Sequence, residues 1–325
     1  MSQDAFGAAF PEPLRSRLQR IVELGSGGLL TDTTTPEARV ALGDAEVLVT
    51  GWGCPPLDAG TLDHAPSLRA IVHTAGSVKA FLDASVFDRE IRISSAAEAN
   101  AVPVAEFTFA VIVLARKRAF RHAYGYRAVR RRPDLELAGG YGTRGVVIGV
   151  VGASRIGRRV LGLLEALDAT VLLHDPYLDQ ATAGDLGVEL VGLDELMSRS
   201  EVVTLHAPAI PETRHLIDRR RLGLLPDGAI LVNTARGSLV DHDALIDELT
   251  TGRIDAVLDV TDPEPLPPES PLYDLPNVFL TPHLAGALGN EVARLGESAL
   301  DELDRYAAGA PFAYPIRAEE FHRIA

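Results

Sequence analysis

The sequence predicts an α/β protein with parallel sheets in more than one domain, on three observations. Short apolar runs rich in β-branched residues alternate with longer stretches of helical spacing along most of the chain, the pattern of strands joined by crossover helices. One alternation, Gly145 to Val160, compresses a strand, a glycine-bearing turn and a helix start into one segment. The chain has 325 residues, 46% of them hydrophobic, which is too long for one simple domain and enough to build cores for two.

Taken in order, residues 1–25 carry no apolar core of the signal-peptide kind, and no stretch is expected to span a membrane. Val47 to Thr50 reads as a strand, followed by the loop Gly51-Trp-Gly-Cys-Pro-Pro56. Leu68 to His73 and Ile91 to Ser94 read as further strands, with Phe81 to Phe87 as a helix between them. Asn100 to Glu106 opens a long apolar helix, Phe107 to Leu114. A basic run follows from Arg116 to Arg132, with Tyr124 and Tyr126 interleaved. The net charge of −14 argues against a nucleic-acid patch or a membrane surface, so the run reads as the solvated or subunit-facing end of a helix. Cys54 is the only cysteine, which excludes an internal disulfide framework and suits a reducing, cytoplasmic setting.

Val146 to Val151 is a buried-strand run, and Ile156, Val160, Leu161, Leu164 and Leu167 mark the helix beyond it. Between them Gly152-Ala-Ser154-Arg-Ile-Gly157 is the dinucleotide fingerprint G-x-G-x-x-G with serine at the middle glycine. Gly152 permits the tight turn, Gly157 lets the helix pack closely, and the helix start offers N–H groups to a pyrophosphate. Asp175 closes the next strand, Thr170 to Leu173, about 18 residues beyond Gly157, where a ribose-binding acid belongs. Further strands end at His206, at Asn233-Thr-Ala-Arg236, at Asp259 and at Thr281-Pro-His283, and residues 287–308 read as a closing helix.

Asp175, His206, Arg236, Asp259 or Glu264, and His283 therefore all fall at or just past the C-terminal ends of predicted strands, the edge that forms the ligand crevice of an open doubly wound sheet. An arginine, an acid and a histidine suit carbonyl reduction. The arginine holds a carboxylate and polarises the neighbouring carbonyl, the histidine moves a proton, and the acid supports the imidazolium.

Gly152 to Gly157, Asp175, His206-x-Pro208, Asn233 to Asp241, Asp259 to Pro265 and Thr281-Pro-His283 occur in an order that resembles the D-isomer-specific 2-hydroxyacid dehydrogenases, over about Leu68 to Gly286. That resemblance implies two Rossmann-like, doubly wound parallel-sheet domains around a cleft. Residues 1–99 with 288–325 would form a substrate-binding domain and residues 100–287 an NAD-binding domain, in a homodimer. It implies Arg236, Glu264 and His283 as the catalytic set. NAD would be lined by Gly152, Ser154, Arg155, Ile156, Gly157, Asp175, His206, Pro208, Thr213, Thr234, Ala235, Arg236, Asp259, His283 and Gly286. A small 2-keto or D-2-hydroxy acid would meet Gly76, Ser77, Val78 and Arg236. No metal, nucleic acid or membrane is implied, and no C-terminal regulatory domain.

Five positions depart from the pattern, two of them Ala75 and Ser77, which stand where the substrate loop, here residues 75–79, commonly has glycine. Ser154 replaces the fingerprint's middle glycine, Thr261 an aromatic, and Lys79 an acid. Lys79 would either pair with a nearby acid such as Asp83 or, with Trp52, receive a second anionic group of the substrate. Two rival readings keep the scaffold: an NADH-sensing, corepressor-like binding protein, and a formate or phosphite dehydrogenase-like enzyme.

Overall fold

Val47–Thr50 (β1), Ala70–His73 (β2) and Arg92–Ser95 (β3) pair in parallel in the order β1-β2-β3 in the computed structural model of the protein, which describes residues 1–25, 28–131 and 140–323. Pro315–Ile316 adds an antiparallel edge to β3, a pairing no local pattern announces. All four residues of β2 are buried, because both faces of this sheet are covered. Ile71 packs on one side with Leu62, Val78 and Ile93, while Ala70 and Val72 pack on the other with Phe10, Leu18 and Leu300. Leu300 belongs to the helix Val292–Ala307, whose Val292, Leu295, Ala299 and Leu303 form the buried stripe expected of an amphipathic helix. The helices Gln3–Ala9 and Leu14–Ile21 were not legible in the sequence. The expected helix at 81–87 is a 3₁₀ helix, Ala84–Arg89, started by an Asp83 cap on the Ser85 N–H.

The chain divides into two compact units, Met1–Ala101 with Ala287–Ala325, and Val102–Gly286. The second holds seven parallel strands: Val146–Val151 (β4), Ala169–His174 (β5), Glu189–Leu190 (β6), Val202–Leu205 (β7), Ile230–Asn233 (β8), Asp255–Leu258 (β9) and Val278–Leu280 (β10). Their order is β10-β9-β8-β7-β4-β5-β6. The order reverses at β4, so the loops after β4 and β7 share the topological switch point where such sheets take their ligands. The helix Arg155–Leu164 buries Val160, Leu161 and Leu164 in a core with Ile148, Val150 and Leu173. Leu172, Leu196, Val203, Leu205 and Leu231 fill the core that contains the other face.

The helix Ala97–Arg116 is long and apolar enough by length and composition to cross a membrane, which the sequence reading did not anticipate. In the second unit its Ala105, Val111, Ile112 and Ala115 are instead packed with Ile148 and Val160. The basic run that follows is less exposed than expected. Arg116 is buried, donating to the carbonyls of Gly140 and Gly142 and pairing with Glu201 at 3.0 Å. Arg118 pairs with Asp255 and donates to the Gly228 carbonyl at 2.6 Å. Arg132, the end of the run, lies outside the described residues.

Candidate active site

The turn after β4 is built from close backbone contacts. Gly152 has φ of 97°, and a Cβ there would lie 2.8 Å from the amide nitrogen of Ala207, on the loop after β7. A Cβ at Gly157 would overlap the carbonyl oxygen of Gly152, so both positions exclude a side chain. Ser154 sits in extended backbone, φ −63° and ψ 179°, and caps the helix by accepting the Gly157 N–H at 3.2 Å. The fingerprint's middle glycine is therefore replaced without strain by a residue type that helix starts favour. The first turn, which includes Ile156, points its amides and positive dipole end out of the helix. Asp175, after β5, accepts from the Ala153 N–H at 2.8 Å through Oδ2 and from the Tyr177 N–H at 2.9 Å through Oδ1. Each oxygen keeps a second lone pair for a hydroxyl donor.

His206 follows β7 and is 3% exposed. Its Nε2 bonds the Thr204 hydroxyl at 3.0 Å, while its buried Nδ1 has no partner among the described residues. Burial pushes its pKa down to about 3, so the ring is neutral. The Thr213 hydroxyl donates to the Pro208 carbonyl at 2.6 Å and accepts the Ile210 N–H at 3.0 Å, closing that loop. After β8 the Asn233 side chain pins the turn at both ends, accepting from Ala235 N–H at 3.1 Å and donating to the Arg236 carbonyl at 2.9 Å. Sequence reading did not single out Asn233 as a site residue. The Thr234 hydroxyl bonds that of Thr108, at 2.8 Å.

Arg236, Glu264 and His283 come from three loops of this same unit. Glu264 Oε1 lies 2.7 Å from His283 Nδ1, and among the described residues no hydrogen bond engages Nε2. Both side chains are about half exposed, at 43% and 48%. The Arg236 guanidinium donates to the Ala235 carbonyl at 2.7 Å. Burial pulls its pKa below the ordinary value, and the nearby Glu264 carboxylate works against that. His283 has φ of 55°, left-handed backbone that costs a non-glycine residue about 1–3 kcal/mol. Asp259 over-determines it. The Asp259 carbonyl accepts the His283 N–H at 2.9 Å, and its carboxylate accepts from Thr281 Oγ1 at 2.7 Å, Leu284 N–H at 2.8 Å and Ala285 N–H at 3.0 Å. At 2% exposure, Asp259 is committed to holding the histidine's turn.

Residues 110–285 match the family model described as D-isomer specific 2-hydroxyacid dehydrogenase, NAD binding domain. The chain belongs to this family. It is 33% identical to the glyoxylate reductase of Korarchaeum cryptofilum over 307 residues, 92% of this chain and 91% of that one. It is also 33% identical to the D-3-phosphoglycerate dehydrogenase of Methanocaldococcus jannaschii over 275 residues, 84% of this chain and 52% of that one. The chain thus spans about half the length of the phosphoglycerate dehydrogenases it matches. Among solved structures it resembles the apo form of Rhodotorula graminis D-mandelate dehydrogenase, with a TM-score of 0.80 and 26% identity over 94% of this chain and 93% of that one.

The loop of residues 75–79, expected from the sequence to meet the substrate, lies in the other compact unit. It follows His73, 2% exposed, whose Nδ1 bonds the Thr50 hydroxyl at 2.9 Å and whose ring lies 4.8 Å from that of Phe81. Gly76 and Ser77 are half-buried and Val78 fully buried, and the Ser77 hydroxyl accepts the Lys79 N–H at 3.4 Å. The Lys79 ammonium donates to the His322 carbonyl at 2.8 Å. Asp83, suggested as its partner, caps the 3₁₀ helix instead. Trp52 is 44% exposed, and its carbonyl accepts the Ser2 N–H at 2.8 Å.

His73 carries a stability prediction. Burial pushes its pKa down to about 4, helped by the N-terminal ammonium and opposed by a hydrogen bond with the Ser77 backbone. An unfolded chain takes up this proton near pH 6.5, so the stability is present above that pH. It is lost, at about 1.4 kcal/mol per unit, as pH falls from about 6.5 towards 4. Urea midpoints between pH 7 and 4.5 should fall, and His73→Gln should flatten the slope. An unchanged slope in the variant would mean that His73 does not carry the effect.

Proposed function

We propose that the protein is an NAD-dependent oxidoreductase that interconverts a small 2-keto acid and its D-2-hydroxy acid. The observation that carries this is the 2.7 Å contact between Glu264 and His283 Nδ1 beside Arg236. Bound NAD(H) supplies or accepts the hydride. Arg236 holds the substrate carboxylate with its planar fork and polarises the 2-keto oxygen. His283 Nε2 gives a proton to the oxygen in reduction and takes it back in oxidation, and Glu264 orients the ring and stabilises its positive form. A distal-anion role for Lys79 has less support, since its ammonium is engaged by His322.

The residues fit the cofactor. The first-turn amides after Ser154 receive the pyrophosphate, Asp175 the ribose hydroxyls, and the loops bearing His206, Pro208, Thr213, Thr234, Ala235 and Gly286 line its remainder. Val102–Gly286 is then the NAD-binding unit, and Met1–Ala101 with Ala287–Ala325 the substrate-binding one. The same reading makes the protein a cytoplasmic homodimer that engages neither nucleic acid nor membrane, in keeping with a net charge of −14.

A panel of 2-keto acids assayed for NADH consumption, with the chirality of the product determined, tests the reading. NADH binding without turnover on any of them would favour the sensor reading. The kcat/KM with NADH should exceed that with NADPH by roughly tenfold or more, about 1.4 kcal/mol, because the Asp175 carboxylate repels a 2′-phosphate. Equal use of both cofactors would remove Asp175 from the ribose site.

A further inference from the structure

His242 opens the helix His242–Thr251, just after the Asp241 cap, and is 9% exposed. Its Nδ1 lies 3.2 Å from the carbonyl oxygen of Val240, on the segment that descends from Arg236. Its Nε2 lies 3.4 Å from the amide nitrogen of Asp262, two residues before Glu264. A carbonyl can only accept and an amide N–H can only donate, so one ring form satisfies both: the neutral imidazole with its proton on Nδ1. The same two segments meet again at Gly237, where a Cβ would overlap the Thr261 backbone. Asp262 is further held by Arg214 at 3.2 Å.

We infer that His242 is a positioning residue that ties the Arg236 segment to the Glu264 segment and thereby sets the carboxylate against His283. The inference deepens the proposed reaction and rests on it. The imidazole links two loops that carry different members of the proposed catalytic set, and its hydrogen bonds go to Val240 and Asp262 rather than to any of the three. Burial favours its neutral form. Asp262 and Asp241 push towards protonation, while His215 pushes against it. Glutamine reproduces the acceptor that Asp262 needs, whereas leucine fills the space without one.

His242→Leu should lower kcat for 2-keto acid reduction about 10–100-fold, the scale of a misplacement near 1 Å, with little change in the KM for NADH. His242→Gln should recover most of that loss. In a Glu264→Gln background, His242→Leu should cost little more, because the group it positions is already gone. Losses that multiply in the double variant, or a glutamine variant as impaired as the leucine one, would overturn the inference. Nitrogen-15 NMR of His242 provides a test independent of turnover. The expected signature at neutral pH is a proton on Nδ1 alone, and an Nε2–H tautomer or an imidazolium would refute the link. A wild-type protein inactive on every 2-keto acid overturns the proposed reaction instead, and the NMR result still decides the link.

Discussion

Replacing His283 by alanine should lower kcat for 2-keto acid reduction by about 10²–10⁴, the usual worth of a positioned proton donor. The loss should appear in kcat and kcat/KM together, since the proton is needed only as charge develops on the oxygen. Folding should survive, because the side chain is 48% exposed and lies outside the buried core. The backbone at φ 55° is the one complication, and His283→Asn addresses it, since asparagine tolerates left-handed backbone better than alanine does. Both variants should lose turnover alike. Glu264→Gln should cost less than either, because the ring remains and only its charged support is removed. Wild-type turnover in His283→Ala, measured by NADH consumption, would sink the mechanism.

Arg236→Lys should cost roughly 10²–10³ in kcat, comparable to removing a donor aimed at a developing oxyanion. Lysine keeps the charge but presents a compact ammonium that cannot bridge a carboxylate and its neighbouring carbonyl in one plane. The native guanidinium is also oriented by its bond to the Ala235 carbonyl, on a turn pinned by Asn233, and a flexible ammonium gains less from that anchor. The KM for the keto acid should rise as well, while that for NADH should move little. Added guanidinium should partly restore an Arg236→Ala variant. A lysine variant within threefold of wild type would show that the fork geometry is not what the reaction uses.

The parts of this protein legible from its residues are those governed by local rules. Val146 to Val151, Gly152 and Gly157 read as strand, turn and helix start because β-branched runs, tight turns and close helix packing each limit the residue types that fit. The basic run misled in part, because whether an arginine is solvated depends on acids distant in sequence. Arg116 and Arg118 find Glu201 and Asp255, which no spacing within residues 116–131 discloses. The Pro315–Ile316 edge is equally non-local, since two residues carry no periodicity and their partner β3 lies more than two hundred positions earlier.

By itself the sequence determined the α/β class, the dinucleotide fingerprint and the polar residues waiting at strand ends, because pattern and turn chemistry act over a few neighbours. Tertiary structure decided which of those residues lie together. Asp259 and Glu264 were both candidates to support His283, being five positions apart after one strand. The fold buries Asp259 under the 281–285 turn, where its oxygens hold backbone and hydroxyl donors, and sets Glu264 against the ring. It likewise gave Ser154 a capping bond and Lys79 a partner at His322. Hydrogen bonds depend on distances of about 3 Å and on direction, and those are set by how distant segments pack rather than by residue type.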